Sequence, residues 1–142
     1  MSCASVIDDA TIRAYRETHY CVRGDTPMTL KVDEASLPLA ALHRRLQVAS
    51  SAFITAANPF SQGCDEQANA RRQQSLSMEL AQLGLSVIAG LGEHPSNGWP
   101  GEPSFLVPGL SLELAKALGR KYGQNAVIWC GADAVPRLIL LR

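Results

Sequence analysis

Hydrophobic and polar positions along this chain fall into short blocks, some with the two-residue period of a strand and others with the period of a helix. Apolar runs predict six or seven short strands, at 19–23, 28–32, 52–57, 85–89, 104–107, 126–130 and 137–141. Leucines three and four residues apart predict three main helices, over 36–49, 63–83 and 110–122, after a short opening helix at 8–17. This irregular alternation predicts one α+β domain over 1–142, a layer sandwich with a mixed sheet.

Capping and turn residues define the ends of these elements. A short polar side chain directly before a helix accepts a hydrogen bond from one of the free N–H groups of the first turn. The predicted N-caps are Asp8 or Asp9, Ser36, Asp65 and Ser111. The segment 90–103, GLGEHPSNGWPGEP, is so rich in glycine and proline that it predicts a long loop.

The segment 51–61, SAFITAANPFS, is the most informative stretch of the chain. Its apolar first half suits a short strand that is covered on both faces. Asn58-Pro59 ends this strand, because proline has no N–H for a sheet and disfavours helix at the residue before it. A polar turn between a buried strand and a helix is a common position for a ligand, so we expect a site here.

Composition and charge exclude several classes of protein. Hydrophobic residues make up 46% of the 142 residues and charged ones 18%, which argues against disorder. Thirteen basic residues balance thirteen acidic ones, so no overall field attracts nucleic acid, which is not an expected partner. No apolar run approaches the ~20 residues that span a bilayer, and the first residues lack the apolar core of a secretory signal. We expect no membrane contact and a cytoplasmic location, while the oligomeric state stays open.

The four cysteines are Cys3, Cys21, Cys64 and Cys130. They form no C-x-x-C pair, and none has a histidine at zinc-ligand spacing. We therefore expect free thiols, no bound metal and no cofactor.

One face of the predicted helix 63–83 combines leucines with two polar residues. At 100° per residue, Asn69 and Arg72 fall within about 40° of the leucines, on the face that is buried. A buried amide and guanidinium need partners, because an unpaired polar group costs roughly 1–3 kcal/mol. Two interpretations remain open: Arg72 binds a ligand beside the polar turn, or it pairs with Glu102 or Glu79 in a structural role.

The loop around Glu102 is a second candidate site. Glu102 stands between two prolines and near Trp99. A carboxylate held beside an indole can have a raised pKa that suits proton transfer, so Glu102 is a candidate catalytic acid or base. His94 in the same loop is an alternative base. The structural interpretation is a rigid turn in which Trp99 packs and Glu102 binds an arginine.

Elsewhere the chain offers few chemical signals. Gln124 can bind a ligand amide or hydroxyl, or it can hydrogen-bond the backbone where a strand begins. The phosphate loop, the G-x-S-x-G elbow and the H-E-x-x-H zinc motif are all absent. The enzyme classes that a short motif reveals are therefore excluded.

Four motifs in order resemble the domain of unknown function 3293, a family of small bacterial proteins: AFITAANPFSQ, Asn69 with Arg72, WPGEPSFLVPGLS, and LGRKYGQNAVIW before GADAVP. The resemblance extends over about 15–140 and implies no reaction, since none is assigned to the family. It implies that the site residues are those in the motifs: Asn58, Pro59, Ser61, Asn69, Arg72, Glu102, Ser104, Tyr122, Gly123 and Gln124. Ala57 departs from the pattern, because a larger, often aromatic residue is expected there, so no stacking role is implied.

Two functions are open. The first is binding of a small anionic molecule that bears a phosphate or carboxylate, in a binding protein or an enzyme. Free N–H groups at the start of the helix near Asp65 and the guanidinium of Arg72 favour such anions. The second is a non-enzymatic interaction or regulatory module that uses Trp99, between prolines, as an anchor for a partner protein. An exposed Trp99 beside a closed pocket favours the second function, and Trp99 as a wall beside Glu102 favours the first.

Overall fold

The computed structural model describes residues 5–142, apart from the side chain of Ser61. The described residues form four α-helices, which are α1 (Asp9–Glu17), α2 (Leu37–Leu46), α3 (Glu66–Gln82) and α4 (Leu112–Lys121). They also form seven strands, which are β1 (His19–Val22), β2 (Met28–Leu30), β3 (Ser51–Ile54), β4 (Ile88–Glu93), β5 (Glu102–Pro108), β6 (Ala126–Cys130) and β7 (Pro136–Leu140). One short 3₁₀ turn, Pro59–Ser61, follows β3.

All seven strands belong to one sheet in the order β2-β1-β4-β5-β3-β6-β7, and the neighbouring strands are antiparallel. The helix α3 connects β3 to β4, and α4 connects β5 to β6. Each of these connections crosses one strand, and the two crossovers interleave in a split β-α-β arrangement. The predicted α+β class is confirmed, with one correction. The sheet is antiparallel instead of mixed, because a strand inserted into each crossover separates the two strands that run parallel.

Each face of the sheet is covered by a separate apolar cluster. Leu39 of α2 and Phe53 of β3 belong to the cluster on one side, which we call the α2 face. Ile54 of β3, Leu76 of α3 and Leu118 of α4 belong to the cluster on the other side, the α3–α4 face. Successive residues of β3 thus point to opposite faces, and all four are buried, so the prediction of a strand covered on both faces is confirmed.

The strand β4 extends into the segment that was expected to be a loop. It runs from Ile88 to Glu93 instead of over 85–89. Gly90 explains the difference, because a Cβ there would lie 2.8 Å from the carbonyl oxygen of Cys21 and 2.8 Å from the ring of Phe53. This glycine makes room for a close approach inside the sheet and does not mark a turn.

The four predicted helix N-caps are found in the structure. The side chain of each cap accepts a hydrogen bond from the backbone N–H three residues later, and the caps are Asp8, Ser36, Asp65 and Ser111. At the start of α3, the Asp65 carboxylate accepts from the N–H of Ala68. This carboxylate therefore already occupies part of the helix end that was expected to bind an anion.

The buried histidine His43 is a titratable group in the core of the fold. Its Nε2 lies 2.9 Å from the Oγ of Ser51, and its buried Nδ1 has no hydrogen-bond partner among the described residues. Burial lowers the pKa of His43 below its ordinary value. As the pH falls, His43 therefore takes up a proton at a higher pH in the unfolded chain than in the folded protein.

We expect the free energy of unfolding to decrease as the pH is lowered from about 7.5 to 5.5, by at most about 1.4 kcal/mol per pH unit from this residue. The contribution of His43 is present above its unfolded pKa of about 6.5 and is lost as the pH falls towards its folded pKa. Urea unfolding over this pH range measures the slope. His43→Gln should flatten it, and an unchanged slope in that variant would show that other groups are responsible.

Candidate functional site

A cleft of about 400 Å³ opens on the α2 face of the sheet. The helix α1 forms one wall, and the loop between β4 and β5 forms another. The floor comes from the sheet through Tyr20, Phe53 and Ile128. Thr55, Asn58, Glu102 and Gln124 supply polar groups to the same cleft. The volume lies in the range of about 300–1,000 Å³ that is typical of small-molecule sites.

Glu102, the first residue of β5, supplies one of the two carboxylates in the described lining of this cleft, and Asp8 supplies the other. It is partly buried and pairs with Gly92 of β4 in the sheet register. Its Oε2 accepts a hydrogen bond from the Nδ2 of Asn58 at 2.9 Å. Burial raises the pKa of Glu102 above its ordinary value, and the hydrogen bond from Asn58 acts in the opposite direction. The carboxylate therefore releases its proton less readily than an exposed glutamate.

The side chain of Asn58 connects Glu102 to α3. Its Oδ1 accepts from the Nδ2 of Asn69 at 2.9 Å and from the backbone N–H of Cys64 at 3.0 Å. The backbone N–H of Asn58 donates in turn to the Oδ1 of Asn69 at 2.9 Å. With the bond to Glu102, both polar atoms of the Asn58 amide have partners, so the amide orientation is determined by its surroundings.

The turn after β3 has an unusual backbone that places this amide. Asn58 has φ 47° and Phe60 has φ 58°, on either side of Pro59. Asparagine tolerates positive φ, whereas an aromatic residue rarely adopts it. The N–H of Phe60 donates to the carbonyl oxygen of Gly123 at 2.7 Å, and the Nε2 of Gln124 donates to that of Ala57 at 3.0 Å. The segment directly after α4 therefore holds the turn in this conformation.

Aromatic side chains supply much of the apolar surface of the cleft. Tyr20 and Phe53 form an edge-to-face pair with ring centroids 5.2 Å apart. The Oη of Tyr20 donates to the carbonyl oxygen of Tyr15 at 2.6 Å, and burial raises the pKa of Tyr20 so that its hydroxyl stays neutral. Trp99 lines the cleft and is 48% exposed. It therefore forms a wall of the cleft and an exposed surface at once.

His94 attaches the loop after β4 to α1. Its Nδ1 accepts from the backbone N–H groups of Ser96 and Asn97, at 3.1 and 3.0 Å. Since Nδ1 accepts, the proton of the neutral ring is on Nε2, which lies 3.0 Å from Oε1 of Glu17 and donates to it. Both ring nitrogens therefore have structural partners, although His94 lines the cleft.

The structure brings some of the predicted site residues together. Asn58, Glu102 and Gln124 line the cleft, and Asn69 supports Asn58 from α3. Gln124 is buried and donates to the carbonyl oxygens of Ala57 and Tyr122, so it has the backbone role that was left open for it. The side chain of Ser61, another predicted ligand-binding group, lies outside the described part of the structure.

Other predicted residues lie away from the cleft. Ser104 is buried and its Oγ donates to the carbonyl oxygen of Glu102 at 2.9 Å, which is a contact within β5. The Oη of Tyr122 donates to Oε1 of Glu79 at 2.9 Å and lies 3.0 Å from the Oγ of Ser75. Tyr122 therefore belongs to the contact between α3 and α4 and not to the site around Glu102.

Arg72 is also absent from the lining of the cleft, and neither of its expected carboxylate partners binds it. Glu102 accepts from Asn58, and Glu79 accepts from Lys121 and Tyr122. The buried face of α3 that meets the sheet carries Gln73 and Leu76, so the neighbouring Arg72 is turned towards α4. The expected convergence of Arg72 with Glu102 is not found.

Sequence reasoning missed two parts of the site. The Oε1 of Gln73 accepts from the backbone N–H of Ala56 at 2.6 Å and from the Oγ1 of Thr55 at 3.1 Å. The helical wheel contains a signal for this residue, because Gln73 lies about 60° from Leu76. The contribution of α1 through Tyr15 has no comparable signal, since it depends on how that helix docks.

Three of the four cysteines lie in the described part of the chain. Cys21, Cys64 and Cys130 are free thiols there, while Cys3 lies outside it. Residues 5–142 contain no group of three or more potential metal ligands, and no helix among them is long and apolar enough to cross a bilayer.

Replacing Glu102 by glutamine is expected to stabilise the protein at neutral pH. The pKa of Glu102 is higher in the folded protein than in the unfolded chain. Its contribution to stability is therefore complete at a pH below its pKa in the unfolded chain, and it is lost as the pH rises through its pKa in the folded protein. Glu102→Gln removes this loss while keeping an oxygen that accepts from Asn58. The gain is about 1.4 kcal/mol for every tenfold change in the acid constant.

Urea unfolding at about pH 4 and pH 7.5 tests this prediction, with exposed Glu93→Gln as the matched control. The Glu102 variant should be more stable than the wild type at the higher pH and nearly equal at the lower one. A destabilised variant at pH 7.5 would mean that the charged carboxylate stabilises the fold.

Two substitutions at Asn58 separate its hydrogen bonds from its backbone conformation. Glycine accepts the positive φ, so Asn58→Gly should cost roughly 1–3 kcal/mol from the lost hydrogen bonds of the amide. Asn58→Ala should cost about 1 kcal/mol more, because alanine is strained at this φ. Thermal and urea unfolding measure both variants. A glycine variant as stable as the wild type would show that the amide does not support the turn.

Comparison with known proteins identifies the chain's family. Searches of curated proteins and of solved structures each gave no significant match. The family described as "Protein of unknown function (DUF3293)" matches residues 54–127, just over half of the chain and a shorter span than the motifs implied. The match begins at the end of β3 and contains the turn, α3, the loop after β4, β5 and α4, so it includes Asn58, Asn69 and Glu102. The chain belongs to this family, the domain of unknown function 3293.

Proposed function

We propose that the cleft binds a small organic molecule that offers an N–H or O–H donor to Glu102 and an apolar or aromatic group to the surrounding rings. The main support for this proposal is the carboxylate of Glu102. Among the described residues its only hydrogen-bond partner is Asn58, on Oε2, and no cation pairs with it. A partly buried carboxylate with so few partners gains a favourable interaction when a ligand brings a donor.

The charge of the cleft determines the class of ligand. The described lining contains the carboxylates of Asp8 and Glu102 and no lysine or arginine. An anionic ligand would meet a carboxylate here without a compensating cation, which is unfavourable at short distance. The cleft therefore supports the ligand-binding function expected from the sequence but favours a neutral or cationic ligand over an anionic one.

The same geometry is compatible with proton transfer. Glu102 has a raised pKa, which brings it closer to the pH at which a carboxyl group exchanges protons efficiently. Asn58 restrains the carboxylate through Oε2, and α1 and the loop after β4 form walls of the cleft around it. If the bound molecule reacts, Glu102 is the residue that we assign as acid or base.

Three probes of one shape test the proposed recognition. Benzamide has amide donors, acetophenone has the same outline without them, and benzoate is the anion. NMR titration of the ¹⁵N-labelled protein follows the indole N–H of Trp99 and the backbone N–H groups of Thr55 and Gly92, which line the cleft. Benzamide should shift these resonances saturably and bind more tightly than acetophenone and benzoate.

Two variants complete the experiment. Glu102→Ala removes the acceptor and should weaken benzamide binding about tenfold or more, because hydrogen bonds to charged groups contribute about 1.5–3 kcal/mol. Glu93→Gln removes an exposed carboxylate of the neighbouring strand and should leave binding unchanged. Benzoate binding as tightly as benzamide, or no saturable shift at the cleft with any probe, would contradict the proposal.

The alternative function is a protein–protein contact through the Trp99 loop. The exposure of nearly half of the Trp99 surface is the observation in its favour, since exposed tryptophans are frequent anchors in interfaces. Trp99 also lines the cleft, however, and this gives it a role in ligand binding without a partner protein. We therefore keep ligand binding as the main proposal.

A further inference from the structure

A second hollow lies in the helix layer, between α3 and the end of α4. It has a volume of about 270 Å³ and is lined by Ala68, Arg71, Arg72, Ser75 and Tyr122. None of these residues lines the cleft around Glu102. The hollow is therefore a separate place on the molecule, and its chemistry does not depend on the function proposed for the cleft.

Arg72, which lines this hollow, has one buried donor without an acceptor. Its Nη1 is buried and has no hydrogen-bond partner among the described residues. Buried donors in native proteins are nearly always satisfied, so each exception calls for a missing acceptor, such as an ion or water. The two carboxylates that the sequence suggested as partners, Glu79 and Glu102, bind other groups.

The charge around the hollow favours an anion as this acceptor. Arg71 and Arg72 both line it, and each carries a full positive charge. Glu79 is the acidic residue close by, but Lys121 lies 2.8 Å from its Oε1 and neutralises it. Tyr122 also donates to Glu79, which places a further hydrogen bond on that carboxylate. The excess charge facing the hollow is therefore positive.

We propose that this hollow binds a phosphoryl group, with Arg72 as the principal donor and Arg71 as a second cation. The planar guanidinium presents two parallel N–H groups that match two oxygens of a phosphate. The phosphoryl group belongs to free phosphate or to a small phosphate ester, and both present the same oxygens. The sequence led us to expect an anionic ligand at the turn after β3. We now assign an anionic ligand to this hollow, where two arginines supply the cations.

NMR titration with potassium phosphate tests the proposal, with potassium chloride at equal ionic strength as the reference. The Nε–Hε resonance of Arg72 and the backbone N–H groups of Ala68 and Ser75 should shift saturably with phosphate and not with chloride. Phenyl phosphate is titrated in parallel. Tighter binding of the ester identifies a phosphorylated small molecule as the ligand, and equal binding identifies free phosphate.

Substitutions separate recognition by Arg72 from general charge. Arg72→Met should weaken phosphate binding at least tenfold while the melting temperature stays the same or rises, because the change removes an unsatisfied buried donor. Arg71→Gln should weaken binding to a smaller extent and serves as a second variant if the first does not fold. Arg44→Gln removes an exposed arginine of α2 and should change nothing.

Three results would overturn the proposal. These are chloride shifts equal to those of phosphate, wild-type phosphate affinity in Arg72→Met, or a loss in Arg44→Gln as large as that in Arg72→Met. The probes for the cleft differ from those for the hollow, so failure at one site leaves the test of the other intact.

Discussion

The hydrogen bonds of the Asn58 amide are the interaction on which the site depends. One side chain bonds to Glu102 on β5, to Asn69 on α3 and to the backbone of Cys64 before that helix. The turn after β3, the start of α3 and the start of β5, which is 44 residues further along the chain than Asn58, thus meet at the end of the central strand β3. Without the bond from Asn58, Glu102 would be a partly buried carboxylate with no hydrogen-bond partner among the described residues, and this would cost considerable free energy.

The sheet topology explains why these segments meet. Because β5 is inserted between β3 and β4, the start of β5 lies beside the end of β3, and Glu102 comes within reach of the turn. The interleaved crossover through α4 brings Gly123 and Gln124 to the same end, where they bond the turn's backbone. The site is thus a product of the split β-α-β arrangement, and α1 closes it on the α2 face.

The polar residues around Asn58 and the arginine Arg72, which the sequence suggested as parts of one site, lie in different surroundings. Asn69 and Arg72 are one helical turn apart on α3, and both fall near its buried stripe in a simple helical wheel. A helix of this kind packs against a sheet on one side and another helix on the other. Asn69 meets the turn after β3, whereas Arg72 meets the end of α4. This division leaves the carboxylate of Glu102 in the cleft and the guanidinium groups of Arg71 and Arg72 at the hollow in the helix layer.

The sequence by itself determined the local structure. Proline, glycine and capping residues act on the backbone within a few positions, so the turn at Asn58, the N-caps and most elements are readable without the fold. The predictions of local structure were wrong where the conformation depends on a residue elsewhere in the chain. Gly90 makes room for the Phe53 ring from another strand, which no local pattern reveals.

Only the tertiary structure decided which polar residues share a site. Order along the chain does not specify which strand is inserted into a crossover, and this insertion turned the expected mixed sheet into an antiparallel one. The order along the chain also does not specify how α1 packs against the sheet. The cleft and the contribution of Tyr15 both depend on this packing. Side-chain partners depend on distances set by packing of the whole domain. Asn58 could therefore be singled out from the sequence, but its bond to Glu102 could not be distinguished from one between Arg72 and Glu102.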